Sequence, residues 1–73
     1  MKKRYDELNT LRYIEKYIKI YGYPPAIREI CSGLSINSTS TVYSHLRKLE
    51  SEGYIKADPT KSRAINVLKP LSE

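Results

Sequence analysis

The chain has 73 residues, 40% of them hydrophobic and 29% charged, with 13 Lys and Arg against 8 Asp and Glu for a formal net charge of +5. A chain of about 60 residues buries only ~60% of the surface it exposes when unfolded, so this length predicts one small domain and excludes two lobes around a cleft. The basic balance points towards nucleic acid or another anionic surface, and the single Cys31 excludes an internal disulfide.

From about Tyr5 to Tyr21, the residues Leu8, Leu11, Ile14, Tyr17 or Ile18, and Tyr21 recur every three or four positions. That spacing predicts a helix, with Arg12, Glu15, Lys16 and Lys19 mostly off its apolar stripe. Gly22 and then Tyr23-Pro24-Pro25 end it. A second, shorter helix opens at Pro25-Ala26, with Pro25 near the first turn, where its missing N–H costs little. Ile27, Ile30, Cys31 and Leu34 form its apolar face, while Arg28 and Glu29 point outward.

Ser35-Ile36-Asn37 is a three-residue break, and Ser38 is the expected N-cap of a third helix. Val42, Leu46 and Leu49 line one face of that helix, and Gly53 stands where the C′ residue belongs. At about 100° per residue, Ser40, Ser44, Arg47, Lys48 and Ser51 project from the opposite face, with Thr41 and Tyr43 on the flanks. The tail then changes period. Tyr54-Ile55-Lys56-Ala57 and Ala64-Ile65-Asn66-Val67-Leu68 read as two strands around a turn-rich loop, 58–63, that carries Lys61 and Arg63.

The expected fold is therefore mainly α with a small β-hairpin. It is a winged helix-turn-helix of three helices and a two-stranded antiparallel wing, one domain over 1–73 with a core from about 5 to 68. No apolar run approaches the ~18 residues needed to span a bilayer and no signal peptide is visible, so the expected location is cytoplasmic.

A helix-turn-helix presents the start of its second helix to the major groove. That start is rich in hydroxyls, which are short enough to sit deep and which donate or accept; Thr adds a methyl that meets the thymine methyl. Ser38, Ser40, Thr41, Tyr43 and Ser44 are the expected base-contacting residues. Arg28, Asn37, Thr39, Arg47 and Lys48, with Lys61, Ser62 and Arg63 of the wing, are expected at phosphates, where they set register and make binding salt-dependent. Hydroxyls discriminate less than bidentate Arg or Asn, so specificity also needs Tyr43, Asn37, DNA shape or a doubled site.

Other roles compete for the same residues. One is an ion pair along the exposed helix, Arg47 with Glu50 at i, i+3 and Lys48 with Glu52 at i, i+4, the commoner fate of such charges. Tyr13, Tyr17, Tyr21 and Tyr54 are read as core or core-edge volume, His45 as structural, and Cys31 as a small buried hydrophobe. An alternative function is a protein-interaction module in which the third helix docks a partner, but that would call for an apolar outward face. One His, one Cys and the lack of a metal-ligand cluster, a glycine-rich phosphate loop or paired carboxylates predict no enzyme and no cofactor.

Three stretches, "YGYPPAIREI", "STSTVYSHLRKLESEGYI" and "DPTKSRAINVL", resemble the amino-terminal DNA-binding domain of the LexA repressor family, most closely its Gram-positive members. The resemblance runs from about Leu8 to Leu68. It implies binding of a palindromic operator in promoters of DNA-damage (SOS) genes, repression by blocking transcription, and a recognition helix over about 38–52. It implies base contacts at Ser40, Thr41, Tyr43 and Ser44, and a wing tip, Lys61 to Arg63, at phosphate or in the minor groove. Double-stranded DNA is the expected partner, with a homodimer on DNA that is weak at this length; no membrane and no small-molecule ligand are expected.

Three departures stand out. Ser35 replaces the usual turn glycine, which costs about 1 kcal/mol if that position needs φ > 0. Ala26 replaces a common Ser or Thr cap, forfeiting ~0.5–2 kcal/mol. The family's carboxy-terminal half, with its self-cleaving Ser–Lys peptidase, scissile Ala-Gly bond and dimer interface, has no counterpart in these 73 residues.

Overall fold

Leu11, Ile14 and Ile18 form a stripe that water disfavours, and the remaining elements are arranged to cover it. The computed structural model describes residues 7–58 and 60–70. Its elements are α1 (Glu7–Tyr21), α2 (Ile27–Leu34), α3 (Thr39–Ser51), β1 (Ile55–Ala57) and β2 (Ile65–Val67). The strands pair antiparallel with Ile55 opposite Val67, Lys56 opposite Asn66 and Ala57 opposite Ile65. Three helices and this hairpin make the expected winged helix-turn-helix. The predicted helix start at Tyr5 lies outside the described residues. None of the described helices is long and apolar enough to cross a membrane.

Every element contributes to one core. Leu11 and Ile14 come from α1, Ile30 from α2, Val42, Leu46 and Leu49 from α3, Ile55 from β1 and Ile65 from β2. The buried polar Thr10 shares a 2.8 Å hydrogen bond between its Oγ1 and His45 Nδ1. That bond ties α1 to α3 and gives His45 the structural role expected of it.

Three expectations change. Tyr21 is 55% exposed rather than core, because the last turn of α1 runs past the buried cluster, and its ring packs against those of Tyr17 and Tyr23. Cys31 is half-buried at the core edge. Pro25 is buried but precedes α2, whose N-cap is Ala26 and whose first residue is Ile27.

The turn between α2 and α3 depends on Ser35, which has φ 57° and ψ 38°. The left-handed residue lets Ile36 N–H donate to Cys31 O (2.9 Å) and Ser35 N–H to Ser32 O (3.3 Å), the paired bonds of a Schellman ending. A side chain there is strained, so the departure from glycine carries the cost expected of it. Gly33, by contrast, is required by space. A Cβ on it would run into the Tyr13 ring, whose hydroxyl donates to Glu29 O (3.2 Å).

These two positions predict opposite signs. Ser35→Gly should stabilise the fold by up to ~1 kcal/mol, and Gly33→Ala should destabilise it by about 1–3 kcal/mol. For a domain this small, 1 kcal/mol moves Tm by about 4–8 °C, so thermal melts of the two variants check both signs.

Candidate nucleic-acid interface

Burial of Val42, Leu46 and Leu49 fixes the roll of α3 about its axis. The other face is then solvent-facing by geometry, and Ser38, Thr39, Ser40, Thr41, Tyr43, Ser44, Arg47 and Lys48 are all exposed. Ser38 stands at the N-cap as expected, but its side chain makes no capping bond, so its hydroxyl is not occupied by the helix. Among the described residues, neither Arg47 and Glu50 nor Lys48 and Glu52 form an ion pair. Both cations on this face are therefore available to an external anion.

Arg28, Asn37 and Thr39 come together around one shallow depression at the helix-helix turn, together with Ser32 and Ser35. On the other side, Tyr43 and Arg47 of α3 share a groove with Lys61 of the wing loop. The expected site residues are thus placed along α3 and on both of its flanks. The wing itself alternates: Ile55 and Ile65 are buried, while Lys56 and Asn66 face water. Asp58 Oδ1 accepts from Thr60 N–H (3.0 Å) and Thr60 Oγ1–H (2.6 Å), contacts that hold the Asp58 carboxyl below its usual range and brace the loop. Asp58 N–H donates to Ala64 O (3.0 Å) and Lys61 N–H to Asp58 O (3.1 Å). Lys61 and Ser62 are exposed beside this turn.

Arg63, expected at phosphate, is engaged within the chain. Its guanidinium turns back onto the protein, donating from Nη2 to Glu29 Oε2 (2.9 Å) and from Nη1 to Pro24 O (3.0 Å) and Tyr17 Oη (3.4 Å). It also lies over the Tyr23 ring, 4.8 Å from the centroid. A planar fork with five donors suits this divergent set of acceptors, which a point charge does not.

Glu29, expected to point outward, is the hub of the cluster. Its Oε1 accepts from Tyr17 Oη–H (3.0 Å) and from Ala26 N–H (2.8 Å). The Ala26 contact is half of a capping box, so Glu29 partly replaces the side-chain cap that Ala26 cannot provide. Arg63, then the Ala26 amide and the Tyr17 hydroxyl, lower the Glu29 pKa to about 2 despite partial desolvation. The Arg63 pKa is raised, chiefly by Glu29 and then by Tyr17.

Sequence reasoning missed Glu29, Tyr17 and Tyr23 as partners of Arg63. They lie 34, 46 and 40 positions from it, so no local pattern signals the contact. The nearest clue was an acid three residues after an N-cap, which is a capping signature and not a wing signature.

Comparison with known proteins agrees with this geometry. A family model described as the LexA DNA binding domain matches residues 5–64. The chain is 59% identical over 59 residues to a LexA repressor of Clostridioides difficile, a match covering 81% of this chain and 28% of that protein. It is 55% identical over 61 residues to a LexA repressor of Moorella thermoacetica, covering 84% and 30%. With a LexA repressor of Finegoldia magna it shares 47% identity over 74 residues, covering 94% and 36%. The chain therefore spans about a third of the length of these relatives, or less.

The lowered Glu29 pKa sets a pH window. A carboxylate held below its ordinary value of ~4.3 contributes stability that is present above that value and lost as pH falls towards the folded value of about 2. Glu29→Gln should therefore have a lower Tm than the unsubstituted chain at pH 7, and the two should converge between about pH 4.5 and pH 2. Thermal melts across that range check the convergence.

Proposed function

The chain belongs to the LexA DNA-binding domain family, and from that premise we propose that it binds double-stranded DNA sequence-specifically as the DNA-reading domain of a transcriptional repressor. The observation that carries this reading is the outward face of α3. Among the described residues, its one exposed large hydrophobic is Tyr43 on one flank, beside hydroxyls at its start and Arg47 and Lys48, which form no ion pair.

In this reading α3 enters the major groove. Ser38, Ser40, Thr41, Tyr43 and Ser44 meet base edges through hydroxyl hydrogen bonds and the Thr methyl. Arg28, Asn37 and Thr39 hold phosphate on the turn side, and Arg47, Lys48, Lys61 and Ser62 hold it along the helix and the wing. The free N–H groups at the start of α3 add attraction for a phosphate. Arg63 leaves the list of phosphate ligands, because both of its terminal nitrogens already donate to acceptors within the chain.

The operator is an SOS-type palindrome, of which one copy of this domain covers a half-site. Repression follows from occupying promoter DNA. Two copies joined by a dimerisation unit gain affinity because the second contact becomes effectively intramolecular; two unjoined copies bind nearly independently.

Fluorescence anisotropy against an SOS-type operator and a scrambled duplex, each at two salt concentrations, tests the reading. Tighter operator binding that persists at the higher salt is expected; equal binding to both duplexes would overturn it. Lys61→Ala should weaken binding to both duplexes and reduce the slope of log K against log salt by about 0.9. Ser40→Ala and Tyr43→Ala should instead narrow the gap between operator and scrambled DNA, each costing about 0.5–1.5 kcal/mol on the operator alone.

A further inference from the structure

The wing loop has two kinds of bonds. Those of Asp58, Thr60 and Lys61 close the loop on itself. Among the described residues, the side-chain hydrogen bonds from the loop to the rest of the protein all come from Arg63, and they end on three separate segments: Tyr17 in α1, Pro24 in the strap between α1 and α2, and Glu29 in the first turn of α2. Arg63 also adopts φ 55°, a left-handed conformation that an L side chain takes at a cost and that persists where surrounding contacts determine it. The same Glu29 carboxylate that receives Arg63 caps α2 through Ala26 N–H.

We propose that Arg63 and Glu29 form a clamp that sets the position of the wing relative to the helix-turn-helix, and that Arg63 is thereby a positioning residue for DNA binding and not a DNA ligand. The inference rests on the DNA-binding reading above. If α3 sits in the major groove while Lys61 and Ser62 hold the backbone beside it, both contacts form together only when the distance between α3 and the loop is set in advance. A loosely held wing orders on binding, and that ordering subtracts from affinity. The clamp removes that cost, because one guanidinium bonded to three segments leaves the loop root little freedom.

Electrostatics alone makes the opposite forecast. Glu29 is a half-exposed negative charge. Neutralising it on a DNA-binding domain should tighten binding by simple charge arithmetic, and more so if Arg63 were released towards phosphate. The clamp predicts a loss instead. Likewise, Arg63→Lys keeps the charge but cannot bridge three divergent acceptors, so a phosphate ligand would largely tolerate it and a clamp would not.

The test uses the full 73-residue chain with Glu29→Gln, Arg63→Lys and the double variant. Operator affinity is measured over a salt series, and backbone amide exchange is followed without DNA. Each single variant should weaken operator binding roughly two- to thirtyfold, a range typical of residues that act through others, with the salt slope unchanged. The double variant should lose little more than either single, because the two act as one unit. The amides of Asp58 and Lys61 should lose more protection than those of Ile14 and Leu46, which fall only by the lowered global stability.

Tighter binding by Glu29→Gln together with undiminished binding by Arg63→Lys would overturn the clamp. So would an equal loss of protection at the wing and in the core, which would make the pair only a general stabiliser. If the unsubstituted chain fails to distinguish operator from scrambled DNA, the functional reading falls by itself. The clamp is then decided by exchange at the wing: faster exchange supports it and unchanged exchange overturns it.

Discussion

Burial of Val42, Leu46 and Leu49 against α1, α2 and the hairpin is the constraint on which the candidate interface depends. A helix this short has one apolar face, and in a 73-residue chain there is one core to receive it. Once those three side chains are buried, helical geometry leaves Ser40, Ser44 and Arg47 facing water. The exposed hydroxyl face is thus a by-product of packing. A change that rotated α3 in its socket would exchange exposed hydroxyls for core residues.

The turn before α3 illustrates how a local cost is carried by the whole fold. Ser35 takes the left-handed conformation that glycine adopts freely. It is retained because Ile36 must turn back to pack against the core, and the two Schellman bonds close only in that geometry. The same region has Gly33 pressed against Tyr13. The approach of α2 to α1 is therefore set by one missing side chain, and the exit from α2 by one strained backbone. Both act on the angle at which α3 is presented.

Arg63 and Glu29 show why charge in a basic domain cannot be assigned to DNA by count. The chain has 13 Lys and Arg, yet the arginine in the basic wing loop is bonded inward. An arginine is suited to either use, since its fork fits a phosphate as well as it fits a carboxylate, a phenol and a carbonyl. What decides between them is whether acceptors lie within reach in the folded chain. For Arg63 they do; for Arg47, Lys48 and Lys61 no ion pair forms among the described residues.

The order of elements was legible in the sequence because it rests on near-neighbour physics. Periodicity placed three helices, Gly53 marked a helix end, and the switch to alternation placed the hairpin to within a residue or so. The outward face of α3 was legible for the same reason, since helical phase relates Val42, Leu46 and Leu49 to Ser40 and Ser44 without reference to any other element. The exposure of Tyr21 was not, because spacing along α1 says which residues share a face but not how far its neighbours extend to cover it. The bond between Thr10 and His45, and the cluster of Arg63 with Glu29, Tyr17 and Tyr23, were decided by tertiary structure alone. Sequence by itself determined which side chains point the same way. Which of them find partners depended on distances between segments 34 or more residues apart, and those distances exist only once the core has closed.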